Sequence, residues 1–167
     1  SLWRDCTELR FDALHVASLA VDQQSLTLCP PRGGAIVRYG AQGLRVAAGA
    51  PALELSGHLA ETPIAIRSGP VGLAWPGALS ARQLEVTLGP PETASRFALD
   101  DVSAQIGETV AGRFAGADVR LYAVPLDLLG ANGAWRYADG RLTLSDGAFR
   151  LEDRQGPARF EPLAAEG

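Results

Sequence analysis

Apolar side chains recur at every second position along most of this 167-residue chain. Such alternation is typical of β-strands that turn one face toward a core and the other toward water. Glycine, proline, aspartate or asparagine interrupts nearly every gap between the runs, as expected for tight turns. The clearest runs are Leu44-Val46, Leu53-Leu55, Ile64-Ile66, Val71-Leu73-Trp75, Leu84-Val86-Leu88, Phe97-Leu99, Val119-Leu121, Trp135-Tyr137, Leu142-Leu144 and Phe149-Leu151.

This pattern predicts an all-β fold of roughly a dozen short strands joined by tight turns. Asn132-Gly133, Asp139-Gly140 and Asp146-Gly147 are the strongest turn signals in the chain. Helical periodicity is scarce, and only the stretches 93–104 and 125–130 could hold a short turn of helix. We therefore expect few or no helices.

A long sheet with one apolar face must keep that face from water. It can close as a sandwich or barrel, take a cover of helices or curl into a trough, and the scarcity of helical patterns disfavours the cover. We expect a long antiparallel, strongly curved amphipathic sheet, either an open trough or similar to a β-sandwich. Gly107, Gly112 and Gly116 lie in one strand-like stretch and are interpreted as bulges or bends of this sheet.

The two cysteines, Cys6 and Cys29, enclose a segment with the pattern of a β-hairpin. A two-residue turn at Ala17-Ser18 pairs residues whose numbers sum to 35, which places Cys6 opposite Cys29. The alternative is two unrelated buried thiols. We predict a disulfide, which indicates an oxidising compartment such as the periplasm. The same register gives the pairs Leu9 with Leu26, Leu14 with Val21, and Val16 with Leu19.

Charge and motifs argue against several other functions. The net charge of -4 disfavours binding to nucleic acid through phosphate contacts. His15 and His58 lie outside any metal or catalytic motif, and the strand neighbours Asp100 and Asp101 should point to opposite faces. We expect no catalytic residue, no metal site and no cofactor. The tryptophans are interpreted as packing side chains: Trp3, Trp75 and Trp135.

Two segments resemble a known family. The stretch GAWRYADGRLTLSDGAFRL, residues 133–151, is similar to hairpins that recur in the AsmA-like superfamily. The opening, with Cys6, Leu9 and Phe11 followed by Leu26 to Pro30, resembles the YdbH branch of that superfamily. The resemblance implies a large envelope protein of Gram-negative bacteria, held in the inner membrane by a helix, whose curled sheet carries phospholipid toward the outer membrane along an apolar groove.

The resemblance therefore implies that residues 1–167 are one β-rich, non-enzymatic segment of a larger, periplasmic, inner-membrane-anchored protein. We expect residues 1–30 to form the cysteine-flanked hairpin and residues 31–167 the strand series. The expected partners are phospholipid acyl chains, together with inner- and outer-membrane proteins that bind through parts of the protein outside this chain. Nucleic acid is not an expected partner.

Large apolar residues at alternating positions are the candidates for the groove lining, although the pattern does not decide which parity faces inward. The alternative is that they are core residues of a closed sandwich that binds a protein partner. A further alternative is a β-solenoid hydrolase or carbohydrate-binding domain that uses Trp75 or Trp135. The lining candidates are Leu84, Val86, Leu88, Phe97, Leu99, Leu142, Leu144, Phe149 and Leu151.

Overall fold

The computed structural model describes residues 3–16, 19–22, 24–32, 34–41, 43–107, 109–157 and 159–167. These residues form strands, turns and bends and contain no helix, which confirms the all-β prediction. The stretches 93–104 and 125–130, which could have held a short turn of helix, lie mostly in long strands, and this confirms the expectation of few or no helices.

Most of the strands are joined by short turns. The strands are β1 Thr7–Phe11, β2 Leu14–Val16, β3 Leu19–Val21, β4 Gln24–Leu28, β5 Val37–Gly40, β6 Gly43–Ala50, β7 Leu53–Leu59, β8 Thr62–Ser68, β9 Val71–Trp75, β10 Gly77–Leu88, β11 Ser95–Ile106, β12 Val110–Arg120, β13 Leu126–Ala138, β14 Arg141–Asp153 and β15 Leu163–Glu166.

Among the described residues, thirteen strands form one antiparallel sheet, and β1 and β4 form a two-stranded sheet beside it. The long strands β10 to β14 pair in chain order, each with the next. The sheet does not close on itself, since its path runs from β15 at one end to β2 at the other. The predicted large antiparallel sheet is therefore present, in an open form.

The sheet divides into two arms at β10. Residues 79–81 of β10 pair with β9, whereas residues 85–88 pair with β8. Between the two pairings, Gly69 donates its N–H to the Arg82 carbonyl, and Arg82 donates its own N–H to the Pro70 carbonyl. One arm continues from β9 to β6 and β5, and the other continues from β8 to β7, β3 and β2.

The opening hairpin has the predicted register and the predicted disulfide. Cys6 is bonded to Cys29. The turn at Ala17-Ser18 lies outside the described residues. The hairpin is divided between the two sheets, because β2 and β3 join the large sheet while β1 and β4 do not. The confirmed pairs are Leu9 with Leu26, Leu14 with Val21, and Val16 with Leu19.

The disulfide should stabilise the fold mainly by closing a loop in the unfolded chain, which lowers the conformational entropy of the unfolded state. For a sequence separation of 23 residues, loop entropy is worth about 3 kcal/mol. We expect the double variant Cys6→Ser with Cys29→Ser to lose about that much unfolding free energy in urea titrations. Wild-type protein titrated with a reductant serves as the control and should behave like the variant. An unchanged urea midpoint in both would contradict a stabilising bridge.

Strands β13 and β14 are longer than the sequence pattern predicts, because two of the three turn signals lie inside them and do not form turns. Asp139-Gly140 does form the turn between β13 and β14, with φ of 51° and 72°. Asn132-Gly133 and Asp146-Gly147 lie inside β13 and β14, so turns predicted there are wrong. Asp146 has a left-handed backbone with φ of 51°, so the conformation that aspartate tolerates in turns is used here within a strand.

These irregularities form one line across β10 to β14, which we call the seam. Four of the five strands have a residue with φ between 51° and 61° there: Gln83, Gly116, Gly130 and Asp146. At the seam, the less exposed positions of β10 and β11 are spaced by three residues instead of two, as from Leu99 to Val102. Because all five strands change phase at the same level, their apolar side chains stay on one face.

Two of the glycines interpreted as bulges or bends have different roles. Gly116 confirms the interpretation, because it has a left-handed backbone next to a register shift between β12 and β13. Gly112 lies instead where any side chain would overlap the Ser103 carbonyl of the neighbouring strand. Gly112 therefore allows the backbones of two neighbouring strands to approach closely, and it does not mark a bend.

Two seam glycines allow a matched test of this geometry. Gly116 and Gly130 have similar φ, 61° and 58°, but only Gly116 lies against a side chain, that of Asp100. We expect Gly130→Ala to cost about 1 kcal/mol of unfolding free energy for its left-handed backbone. Gly116→Ala should cost at least about 1 kcal/mol more, because its Cβ would overlap Asp100. Equal losses in urea titrations would contradict the close contact at Gly116.

The apolar face of the sheet is only partly covered. The accessible surface of the chain is 11313 Å², whereas a compact protein of this mass exposes about 7,900 Å². The large apolar side chains of β10 to β14 are half-buried or exposed. This excess surface is what an open sheet, and not a closed sandwich, leaves in contact with water. The buried apolar residues in the described part are Val21, Ala35, Ile36, Ala50, Ala104, Ala117 and Ala131.

Candidate functional site

A continuous row of large apolar side chains crosses eight strands of the sheet. Each member is directly opposite the next one in antiparallel register, so all of them lie on one face. At about 4.8 Å between strands, seven steps make the row roughly 34 Å long. We call the face that carries this row the inner face. The row consists of Leu55, Ile66, Val86, Phe97, Val119, Leu128, Leu151 and Leu163.

The nine residues predicted to line a groove all lie on the inner face. Val86, Phe97 and Leu151 are members of the row itself. Leu84, Leu88 and Leu99 surround the row on β10 and β11, and Phe149 lies two residues before Leu151 on β14. Across the seam, Leu142 and Leu144 are opposite Tyr137 and Trp135, and their exposures of 60% and 64% make them the open end of the lining.

A concave space of about 390 Å³ opens on the inner face at the seam. Phe114 and Leu144 contribute from one side of the seam, and Val119, Leu128 and Phe149 contribute from the other. The two halves of the sheet therefore share one apolar surface despite the change of phase. Its volume lies in the range of small-molecule binding sites.

The opposite, outer face of the same strands is polar. Glu85 and Thr87 of β10 alternate with the inward leucines, and Asp118 and Arg120 alternate similarly on β12. Ion pairs connect neighbouring strands on this face, such as Arg82 with Asp101 at 3.3 Å. Such exposed pairs add little stability, but they make this face suited to water.

The inner face ends at two rims where the strands turn, and one of them is dense in ion pairs. The carboxylate of Asp127 is almost fully buried and pairs with Arg120 at 2.8 Å and Arg154 at 2.9 Å. Arg154 also donates to the carbonyls of Leu121 and Val124. These bonds hold the loop between β12 and β13 in place. We call this edge the ion-paired rim.

The opposite edge, which we call the aromatic rim, contains the turns from β9 to β10, from β11 to β12 and from β13 to β14. Ile106, Val110 and Tyr137 are directly opposite one another there, so the apolar lining continues to the edge. Trp75 and Tyr137 are each 50% exposed. The two rims therefore differ in chemistry.

Comparison with known protein families gives one match. Residues 1–167 match the YdbH-like family, described as "Intermembrane phospholipid transport protein YdbH". The chain belongs to the YdbH-like family. The match covers the full chain and confirms the branch that its two ends resemble. No curated protein and no solved structure matches the chain.

The YdbH-like family is a transport family and not a class of enzymes. His15 and His58 both lie opposite Ala20, on either side of β3, and both are exposed. In the described part of the chain, no three histidine, cysteine, aspartate or glutamate side chains are grouped so that they could hold a metal ion. The same part contains no helix long and apolar enough to cross a membrane.

Sequence reasoning missed five of the eight members of the row. Leu55, Ile66 and Val119 belong to alternating runs that are visible in the sequence, but nothing local shows that they align with Val86. Leu128 falls in the stretch 125–130, whose pattern is compatible with a short turn of helix as well as with a strand. The missing members are Leu55, Ile66, Val119, Leu128 and Leu163, and only the strand register brings them together.

The ion-paired rim provides a test by pH. Arg159 donates to the Asp153 carboxylate at 2.6 Å, and the Gln155 and Arg159 N–H groups donate as well. These contacts, the Arg159 side chain first, lower the pKa of Asp153 from 3.8 to about 2. Because the pKa is lower in the folded state, the contacts stabilise the fold above about pH 4 and are lost as the pH falls toward 2.

We therefore expect Asp153→Asn to be less stable than wild type at about pH 6 and to approach it at about pH 2. Urea unfolding at both values measures the difference. Arg159→Gln removes the same contact from the other side and should show the same convergence. A stability gap that does not narrow in acid would contradict the role of Asp153.

Proposed function

We propose that this chain is a segment of a bridge that carries phospholipids between the inner and outer membranes, with acyl chains lying on the inner face. The observation that supports this most strongly is the eight-membered apolar row, which no other layer of the described chain covers. Membership of a phospholipid transport family points to the same ligand. The ligand-binding residues we assign are the nine predicted lining residues together with the other members of the row.

Transport along this face requires no chemical step. Each methylene group that leaves an apolar surface for water costs about 0.8 kcal/mol, so an acyl chain must stay covered at every stage. The row runs from strand to strand, and neighbouring positions are similarly apolar. An acyl chain can therefore move from one position to the next without a large change in free energy, while its head group extends over a rim into water.

The proposal also covers the location of the chain. The disulfide between Cys6 and Cys29 is typical of oxidising compartments, and the periplasm is the oxidising space between two bacterial membranes. We propose that residues 1–167 are one β-rich segment of a larger periplasmic protein, whose other parts supply the inner-membrane anchor and the contacts with membrane proteins. The closed sandwich alternative is not favoured, because the large sheet is open.

The test is to place charges on the inner face. Protein is purified and extracted with organic solvent, and bound phospholipid is measured by mass spectrometry. We expect wild type to hold phospholipid and Leu84→Asp with Leu88→Asp to hold at least about tenfold less, since a buried carboxylate disfavours acyl contact. The matched control, Ser80→Asp with Thr87→Asp, adds the same charge to the outer face of the same strand and should keep its lipid.

Circular dichroism and urea unfolding establish that both variants are folded. If the Leu84 and Leu88 variant fails to fold, Phe97→Gln provides a milder polar change in the middle of the row. Equal lipid content in the inner-face and outer-face variants would overturn the assignment, as would wild-type protein that contains no phospholipid.

A further inference from the structure

The segment that contains the β5–β6 hairpin differs in charge from the rest of the chain. Residues 23–53 include Arg32, Arg38 and Arg45 and no acidic residue. The remainder of the chain has twelve arginines against nineteen aspartates and glutamates. A protein that is acidic overall therefore concentrates a local positive charge on one arm of its sheet.

The free end of this hairpin is amphipathic. Arg38 and Arg45 are directly opposite each other, and both are exposed. Tyr39 and Leu44 form the next pair, on the other face of the hairpin, with exposures of 83% and 53%. Two cations therefore lie on one face, and an aromatic and an aliphatic side chain lie on the other, next to the turn.

The apolar side of the hairpin is continuous with the inner face. Val37 is opposite Val46, and Val46 is opposite Trp75 of β9, at the aromatic rim. Trp75 is half exposed, and so is Trp3, whose carbonyl accepts the Ile36 N–H just before β5. Apolar and aromatic surface thus extends from the inner face onto the end of the hairpin.

We propose that the β5–β6 hairpin docks on the headgroup layer of an anionic phospholipid membrane. Tyrosine and tryptophan suit this layer because they have an apolar body and a polar tip. Arginines nearby are attracted to anionic lipids. Charge complementarity and continuity with the inner face favour a membrane of anionic phospholipid as the partner of this hairpin. Docking would let acyl chains pass between the membrane and the inner face, and only this role rests on the proposed function.

The experiment measures co-sedimentation of the full chain with vesicles. One set contains equal amounts of phosphatidylglycerol and phosphatidylcholine, and the other contains phosphatidylcholine alone. We expect wild type to bind the anionic vesicles, with weaker binding in about 0.5 M than in about 0.05 M salt. Arg38→Glu with Arg45→Glu should lose at least about 25-fold, since each arginine near an anionic surface is worth about fivefold.

The matched control is Arg136→Glu with Arg141→Glu, which changes the net charge equally at the β13–β14 hairpin and should keep most of the binding. Leu44→Ser tests the apolar side and should lose about tenfold. Three results would overturn the proposal. The first is that wild type fails to bind anionic vesicles. The second is that the two double arginine variants lose binding equally. The third is that Leu44→Ser converts a dimer into a monomer in light scattering and leaves vesicle binding unchanged.

Bound phospholipid, measured as for the proposed function, separates the two hypotheses. If the folded double variant of Arg38 and Arg45 keeps its lipid but loses vesicle binding, the hairpin has a docking role that is separate from lipid binding on the inner face. Wild type that binds vesicles but contains no lipid would leave the docking hairpin standing and overturn the conduit.

Discussion

The shared change of phase at the seam is the constraint on which the two-faced sheet depends. In an antiparallel sheet, a shift of one residue moves every following side chain to the other face. A bulge in one strand alone would place half of its apolar residues in water among polar neighbours. Here β10 to β14 all change phase at the same level, so Leu144 and Leu128 contribute to one cavity although they lie on opposite sides of the seam.

An open apolar face costs stability, since its side chains would bury more surface in a closed sandwich. Other interactions hold the sheet together. Long ladders of backbone hydrogen bonds connect β10 to β14, the disulfide ties the opening hairpin, and the buried carboxylate of Asp127 holds the loop at the ion-paired rim. The interactions that stabilise the fold therefore lie largely outside the inner face, which leaves the apolar side chains of that face accessible.

The two rims and the two arms make the sheet asymmetric. One rim is held by arginine–carboxylate pairs, whereas the other carries Trp75 and Tyr137 half exposed and continues onto the basic β5–β6 hairpin. Because opposite charges are already paired at the first rim, its arginines have less to offer an anionic surface. The arm formed by β9, β6 and β5 contains no acidic residue, so the two ends of the sheet differ in net charge.

The sequence alone determined the strand character, the family and the register of the opening hairpin, because these depend on local alternation and on residues close in the chain. It also identified nine residues of the inner face. Only the tertiary structure decided which left-handed residues are turns: Asp139-Gly140 ends a strand, whereas Asp146 bends one. The tertiary structure also decided that Leu55 and Leu163 belong to one row. The backbone preference of a residue is local, but whether the chain continues beyond it depends on pairing with a strand that lies elsewhere in the sequence.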